Sequence, residues 1–147
     1  MARRPEQVHG KWKAVSCTSS EQGEGEPANL IDGDPGSCRH SRWSRDATKN
    51  PHEVVIDFGE VQAFKGVAYW PRTGENGENG RVKDCEVSTS EDGRTWSAPV
   101  TASFKGNDRR QDVMLPAPVK ARYLKFVVKS EIHGNNFASI AELDLVQ

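Results

Sequence analysis

The run Ala28-Asn29-Leu30-Ile31-Asp32-Gly33-Asp34-Pro35-Gly36-Ser37 concentrates side-chain oxygens on a stretch whose glycines and proline force tight turning. Asp32, Asp34 and Ser37 offer anionic or neutral oxygens, and a turning backbone exposes carbonyls. Together these suit calcium, which takes roughly six to eight oxygen ligands; magnesium, with its stricter octahedral demand, fits less well. Taken alone, the string reads more simply as a pair of turns whose side chains bond their own backbone. A second acidic feature lies near the end of the chain. In Ala138-Ser139-Ile140-Ala141-Glu142-Leu143-Asp144-Leu145, Ala141, Leu143 and Leu145 alternate with Glu142 and Asp144. That is the pattern of a half-buried strand, on which the two carboxylates would be ordinary solvated groups of an outer face.

A different chemistry is scattered between the strand-like runs. His40, Trp43, Arg72, Asn76, Asn79 and Phe137 all fall outside them. A planar guanidinium fork, amides that both donate and accept, an imidazole and an aromatic face are together what a neutral polyol such as a sugar ring requires. Each also has a plainer explanation: a solvated histidine, an arginine paired with a carboxylate such as Glu75, a phenylalanine plugged under a loop.

The elements that must carry these residues are short strands and turns. Val54, Ile56 and Phe58 share one face of Glu53–Phe58, which Gly59 is expected to end, and Lys65–Trp70 reads as the next strand. Cys85–Ser90 runs into the turn signal Glu91-Asp92-Gly93-Arg94, with Trp96 expected over the core edge, and Leu124, Phe126 and Val128 point inward from Arg122–Lys129. No apolar set recurs at helical spacing for three turns, and 13 Gly and 8 Pro punctuate the chain as antiparallel strands joined by loops require. The expectation is an all-β sandwich or jelly roll.

Composition limits the partners. The 147 residues suit one domain with a core over about 12–146, and a mean hydropathy of −0.74 describes a polar surface around a modest interior. The net charge of −1 gives no basic field to attract nucleic acid or anionic lipid. No apolar run approaches the ~20 residues of a membrane span. Met1 leads into Ala2-Arg3-Arg4-Pro5 without the apolar segment of a signal peptide, so the chain is expected to be cytoplasmic or a piece of a larger secreted protein. Cys17, Cys38 and Cys85 match no zinc spacing; Cys85 reads as a core residue, and whether Cys17 pairs with Cys38 is left open.

Several ordered motifs then carry a resemblance. They are Leu30-Ile31-Asp32-Gly33-Asp34, His40-Ser41, Pro51-His52-Glu53-Val54-Val55-Ile56-Asp57-Phe58-Gly59, Tyr69-Trp70-Pro71-Arg72, Asn79-Gly80-Arg81-Val82-Lys83-Asp84, Ser90-Glu91-Asp92-Gly93 and Ala121-Arg122-Tyr123-Leu124-Lys125. In this order the chain resembles discoidin, or coagulation factor type C, domains from Trp12 to Val146, and is most similar to their bacterial carbohydrate-binding members of the family 32 type. The resemblance implies a galactose-binding-like jelly roll of two antiparallel sheets, with one structural calcium ion and no catalytic activity of its own. It places calcium ligands at Asn29, Asp32, Asp34, Ser37, Ala141 and Glu142, and sugar contacts at His40, Arg72, Asn79 and Phe137, with a weaker suggestion of an acid among Glu21, Glu24 and Glu26. Arg39 stands where many such modules carry an aromatic residue.

What the resemblance implies of partners is a glycan ending in galactose or N-acetylgalactosamine. The chain would be a monomeric accessory module of a secreted glycoside hydrolase, acting outside the cell, at its surface or in the periplasm. Two rivals are weighed beside it. A cell-adhesion, protein- or phospholipid-binding discoidin domain needs apolar spikes at its loop tips, for which only Trp43 and Phe137 are candidates. A glycosidase needs two carboxylates across a cleft, deeper than a domain of this size is expected to have.

Overall fold

Alternating apolar residues that begin at Val54 do not stop at Gly59. In the computed structural model, which describes residues 12–17, 39–40, 52–71, 80–107, 109–134, 139–140 and 142–147, a single long strand runs through that glycine. The side chains of residues 14–17, 39–40 and 139 lie outside the description. The strands are β1 (Lys13–Cys17), β2 (Arg39–His40), β3 (His52–Trp70), β4 (Val82–Ser90), β5 (Val100–Ser103), β6 (Gln111–Glu131), β7 (Ser139–Ile140) and β8 (Glu142–Val146). Every pairing is antiparallel, and no helix occurs among the described residues. The main sheet has the order β1-β3-β6-β4-β5, with β8 also on β3, and β2 pairs with β7 alone.

The two longest strands pair with each other almost end to end, from His52↔Val128 to Tyr69↔Gln111. Their ladder breaks between Asp57 and Gln62, where Gly59 takes φ 79°, a left-handed conformation that a side chain would resist. The break is a corner, and the ribbon folds over on itself there. The aromatic contacts show it: Tyr69, near one end of β3, has its ring 6.4 Å from that of Phe126, which pairs with Val54 near the other end. The halves of one ribbon thus supply both layers of a sandwich. Residues 52–57 lie with β1, β6 and β4 in one layer, and residues 66–70 lie with β8 and the start of β6 in the other.

Between the layers sits one core. Val54, Ile56, Phe58, Leu124, Phe126 and Val128 all face it, as the alternation requires, with Phe64, Val67, Tyr69, Leu143 and Leu145 opposite. Trp12 closes it against Phe58 at 4.7 Å, and Phe64 meets Phe58 edge-on at 5.9 Å. Cys85 belongs to this core, as expected, and burial pushes its thiol pKa up to about 12, so it packs as a small apolar group. Three expectations need correction. Gly59 bends the strand instead of ending it. Trp96 is outside the core, half-buried beneath the Lys125 ammonium 4.4 Å from its ring. The carboxylates of β8 are not solvated, for Glu142 and Asp144 are as buried as Leu143 and Leu145 beside them.

A charged pair fastens the corner. Asp57 accepts the Gly59 amide at 2.8 Å and both Nε and Nη2 of Arg122, at 2.9 and 3.1 Å. Chiefly through the Arg122 hydrogen bonds, and against its partial burial, its carboxyl is held below the usual range. Because the folded value is the lower one, the resulting stability is complete above the unfolded pKa of about 3.9 and is lost as pH falls through the folded value. Replacing Asp57 by Asn should therefore remove about 1 kcal/mol near neutral pH, a modest figure because Arg122 is partly exposed, and should flatten the stability loss below pH 4. Urea unfolding of both proteins across pH 2–7 measures this.

Candidate functional site

The fold-back carries the C-terminal end of β3 over the place where β4 begins and β6 ends. Tyr69 is fully buried, stacked on Phe104 at 4.7 Å, and its phenol oxygen accepts the Val82 amide at 3.1 Å. Burial raises the phenol pKa far above its ordinary value, so the hydroxyl stays neutral. Beside it, Gly80 adopts φ 82° and donates its amide to Glu131 Oε2 at 3.0 Å. The other oxygen of Glu131 accepts the His133 amide at 2.8 Å, and its carbonyl accepts the Gly134 amide at 3.0 Å. Ile132 closes the set by donating to the Arg81 carbonyl at 3.0 Å.

Two more segments reach the same end. Trp70, the last residue of β3, pairs with Glu142, the first of β8, and β7 ends two positions before Glu142. On β7, Ser139 pairs with His40 and Ile140 with Arg39. One end of the sandwich therefore gathers Trp70-Pro71, Gly80–Val82, Glu131–Gly134, the β7–β8 junction and the His40 strand. These described residues bracket positions 72–79 and 135–138.

Of the sequence-derived sugar contacts, His40 is placed at this end through its backbone pairing. Arg72, Asn79 and Phe137 lie outside the described residues, each in a stretch whose described flanks converge there. Of the calcium ligands, Glu142 is described; Asn29, Asp32, Asp34, Ser37 and Ala141 lie outside the described residues. So do Trp43, Asn76, the acids from Glu21 to Glu26, and Cys38. Among the described residues no three His, Cys, Asp or Glu side chains come together as a metal cluster. Glu142 has no exposed surface, and a buried carboxylate needs a compensating charge or donors, a role that a hard cation fills. Glu142 is the one described residue of the calcium set that the resemblance implies.

Glu131 was not singled out in the sequence, and Tyr69 entered only within the Tyr69-Trp70-Pro71-Arg72 motif. Strand alternation from Leu124, Phe126 and Val128 places Glu131 on the outward face. The register shift in which Asp84 pairs with Ser130 and Cys85 with Val128 leaves one extra residue on β6 and turns Glu131 inward. A glutamate followed by a His-Gly turn was the only cue.

The opposite pole is of a different kind. A groove of about 540 Å³ opens beside Trp96, lined in part by Ser90, Asp92, Thr95 and Lys120. Ser90 and Asp92 are committed to the expected Asp-Gly turn. Ser90 Oγ accepts the Gly93 amide at 2.8 Å, and Asp92 Oδ1 accepts the amides of Arg94 and Thr95 at 2.8 and 2.9 Å. Those amides hold the Asp92 carboxyl below the usual range. Size alone does not make this groove the functional one.

Comparison with known proteins agrees with the geometry. The F5/8 type C domain pattern matches residues 14–143. A sialidase of Micromonospora viridifaciens is 35% identical over 133 residues, covering 89% of this chain and 20% of that protein. The chain spans about one fifth of the length of the curated relatives it matches. A family 32 carbohydrate-binding module from Clostridium perfringens, solved in complex with galactose, superimposes with a TM-score of 0.79 at 27% identity, over 93% of this chain and 94% of that one. A CBM32 domain from the same organism, in complex with GalNAc-β-1,3-galactose, gives a TM-score of 0.84 at 24% identity, over 95% and 97% of the two chains.

The Tyr69 contact can be tested alone. Tyr69→Phe leaves the buried Val82 amide without its acceptor, so stability should fall by about 1–3 kcal/mol with the fold retained. Urea unfolding followed by circular dichroism gives the value.

Proposed function

Since the chain belongs to the F5/8 type C domain family, with the two-sheet architecture of its family 32 carbohydrate-binding modules, we propose that it is a non-catalytic module that binds terminal galactose or N-acetylgalactosamine. The observation that carries this reading is the convergence of five chain segments at one end of the sandwich, those that bear or flank His40, Arg72, Asn79 and Phe137. Arg72 forks onto two adjacent ring hydroxyls, Asn79 donates to one of them, and His40 bonds the axial hydroxyl that separates galactose from glucose. Phe137 offers its face to the apolar side of the ring. The ligands named in the comparisons, galactose and a GalNAc-galactose disaccharide, support the choice of sugar.

The module works as an accessory of a larger secreted enzyme. Its similarity to about one fifth of a sialidase supports that role. A few hydrogen bonds and one stacked ring give a Kd on the order of a millimolar, about −4 kcal/mol. Useful retention on a polysaccharide then comes from companion modules acting together. A structural calcium ion bound by Asn29, Asp32, Asp34, Ser37, Ala141 and Glu142 fixes the loops beside the sugar site without touching sugar; the complete burial of Glu142 supports this.

Two measurements separate the roles. In galactose titrations Arg72→Lys should lose most of the affinity, because an ammonium cannot hold two hydroxyls in one plane, and Phe137→Ala should lose roughly 1 kcal/mol or more. Neither substitution should alter the calcium dependence of melting. Stripping calcium with EDTA should lower the melting temperature, since a metal bound only to the native state at a hundredfold excess over Kd adds about 2.7 kcal/mol. Glu142→Ala should abolish that difference.

A further inference from the structure

We infer that Glu131 is a positioning residue that clasps the Gly80 turn to the Ile132–Gly134 turn, at the end of the sandwich where sugar binding is proposed. The inference rests on the sugar-binding reading above and extends it to a buried residue that reaches sugar only through others. Glu131 is 1% exposed, and its two carboxylate oxygens are divided between two loops. Oε2 accepts the Gly80 amide, 51 residues away in the chain, and Oε1 accepts the His133 amide. Asn79 is the residue before Gly80, and Phe137 follows His133-Gly134 along the chain.

The geometry is specific to a carboxylate. Two amides from different loops point at one side chain, and only a group with two acceptor oxygens and no donor satisfies both. Hydrogen bonds from amides to an ionised acceptor are also stronger than neutral ones. The β4–β6 register shifts twice between Val82 and Cys85, next to the clasp. Backbone pairing here consists of the Val82–Glu131 pair and the bond from the Ile132 amide to the Arg81 carbonyl. Glu131 adds two side-chain bonds to this irregular stretch, and Tyr69 accepts the Val82 amide from the other layer. A weak site with few contacts depends on such preorganisation, since affinity lost to ordering its loops has no surplus to draw on.

The test compares Glu131→Gln with Val87→Ala, a truncation in the middle of the core away from this end. Glutamine keeps the size of the side chain but offers one acceptor and turns an NH2 toward the second amide. Galactose affinity is measured by NMR titration at a temperature where all proteins are folded, with amide hydrogen exchange and melting temperature recorded on the same samples. The expected result for Glu131→Gln is at least tenfold weaker binding, with faster exchange at Gly80 or His133. Val87→Ala should melt at lower temperature yet keep its affinity within twofold. Glu131→Asp, which keeps the charge but is one methylene shorter, should fall between wild type and glutamine, and serves if the glutamine variant does not fold.

Wild-type affinity in Glu131→Gln with its amides deprotected would overturn the inference. So would a loss in Val87→Ala as large as that in Glu131→Gln, which would mark a general effect of stability. If the wild-type protein takes up no galactose, the sugar reading falls by itself. The clasp is then judged on exchange, where selective deprotection of Gly80 and His133 supports it and unchanged protection overturns it.

Discussion

One constraint governs the molecule: β3 and β6 are too long to remain in one flat layer and must turn a corner together. The corner is made by Gly59 in a left-handed conformation, the ladder break between Asp57 and Gln62, and the fork of Arg122 on Asp57. Because both strands bend at one place, each contributes to both layers, and the core lies between halves of a single ribbon. The site depends on the same bend. Without it Tyr69 would be separated from Val82 by much of the strand's length; with it, their contact is 3.1 Å.

The two poles of the sandwich differ in how they use polar groups. At the Trp96 pole the Asp92 carboxylate is exposed and is spent on the turn's own amides. At the Glu131 pole Glu131, Glu142 and Asp144 are all buried, and the described partners of Glu131 and Asp144 are backbone amides. Burying carboxyl groups is seldom the cheapest route to stability, since well-packed apolar residues of similar volume often do as well or better. Their concentration at one end is consistent with a role in fixing loop geometry, the property that ligand recognition draws on.

The sequence made the sandwich readable wherever pairing runs without interruption. Val54, Ile56 and Phe58, and Leu124, Phe126 and Val128, point inward because period-two alternation identifies a face as long as the ladder is unbroken. It fails at irregularities. Gly59 looked like a stop because a glycine that bends a strand and one that ends it have the same local signature. Parity continued along β6 would put Glu131 outward, and a shift that only the pairing with β4 reveals turns it inward. Glu142 and Asp144 had the alternation of a half-exposed strand, yet β8 is covered on both faces, and cover is a property of the other elements. The candidate ligand residues come from the resemblance and from loops that carry side chains whose chemistry strand periodicity does not explain; Arg72, Asn79 and Phe137 lie outside the described residues.

The central claim is that a galactose-type sugar binds at the pole where Gly80, Glu131, His40 and Glu142 converge. Amide chemical-shift mapping during a galactose titration into the calcium-loaded protein tests it most directly. The account predicts saturable changes concentrated at residues 39–40, 80–82, 131–134 and 139–142, with the Ser90–Trp96 turn unmoved. Changes centred on Trp96, or no saturable change with either galactose or N-acetylgalactosamine at concentrations well above a millimolar, would contradict it.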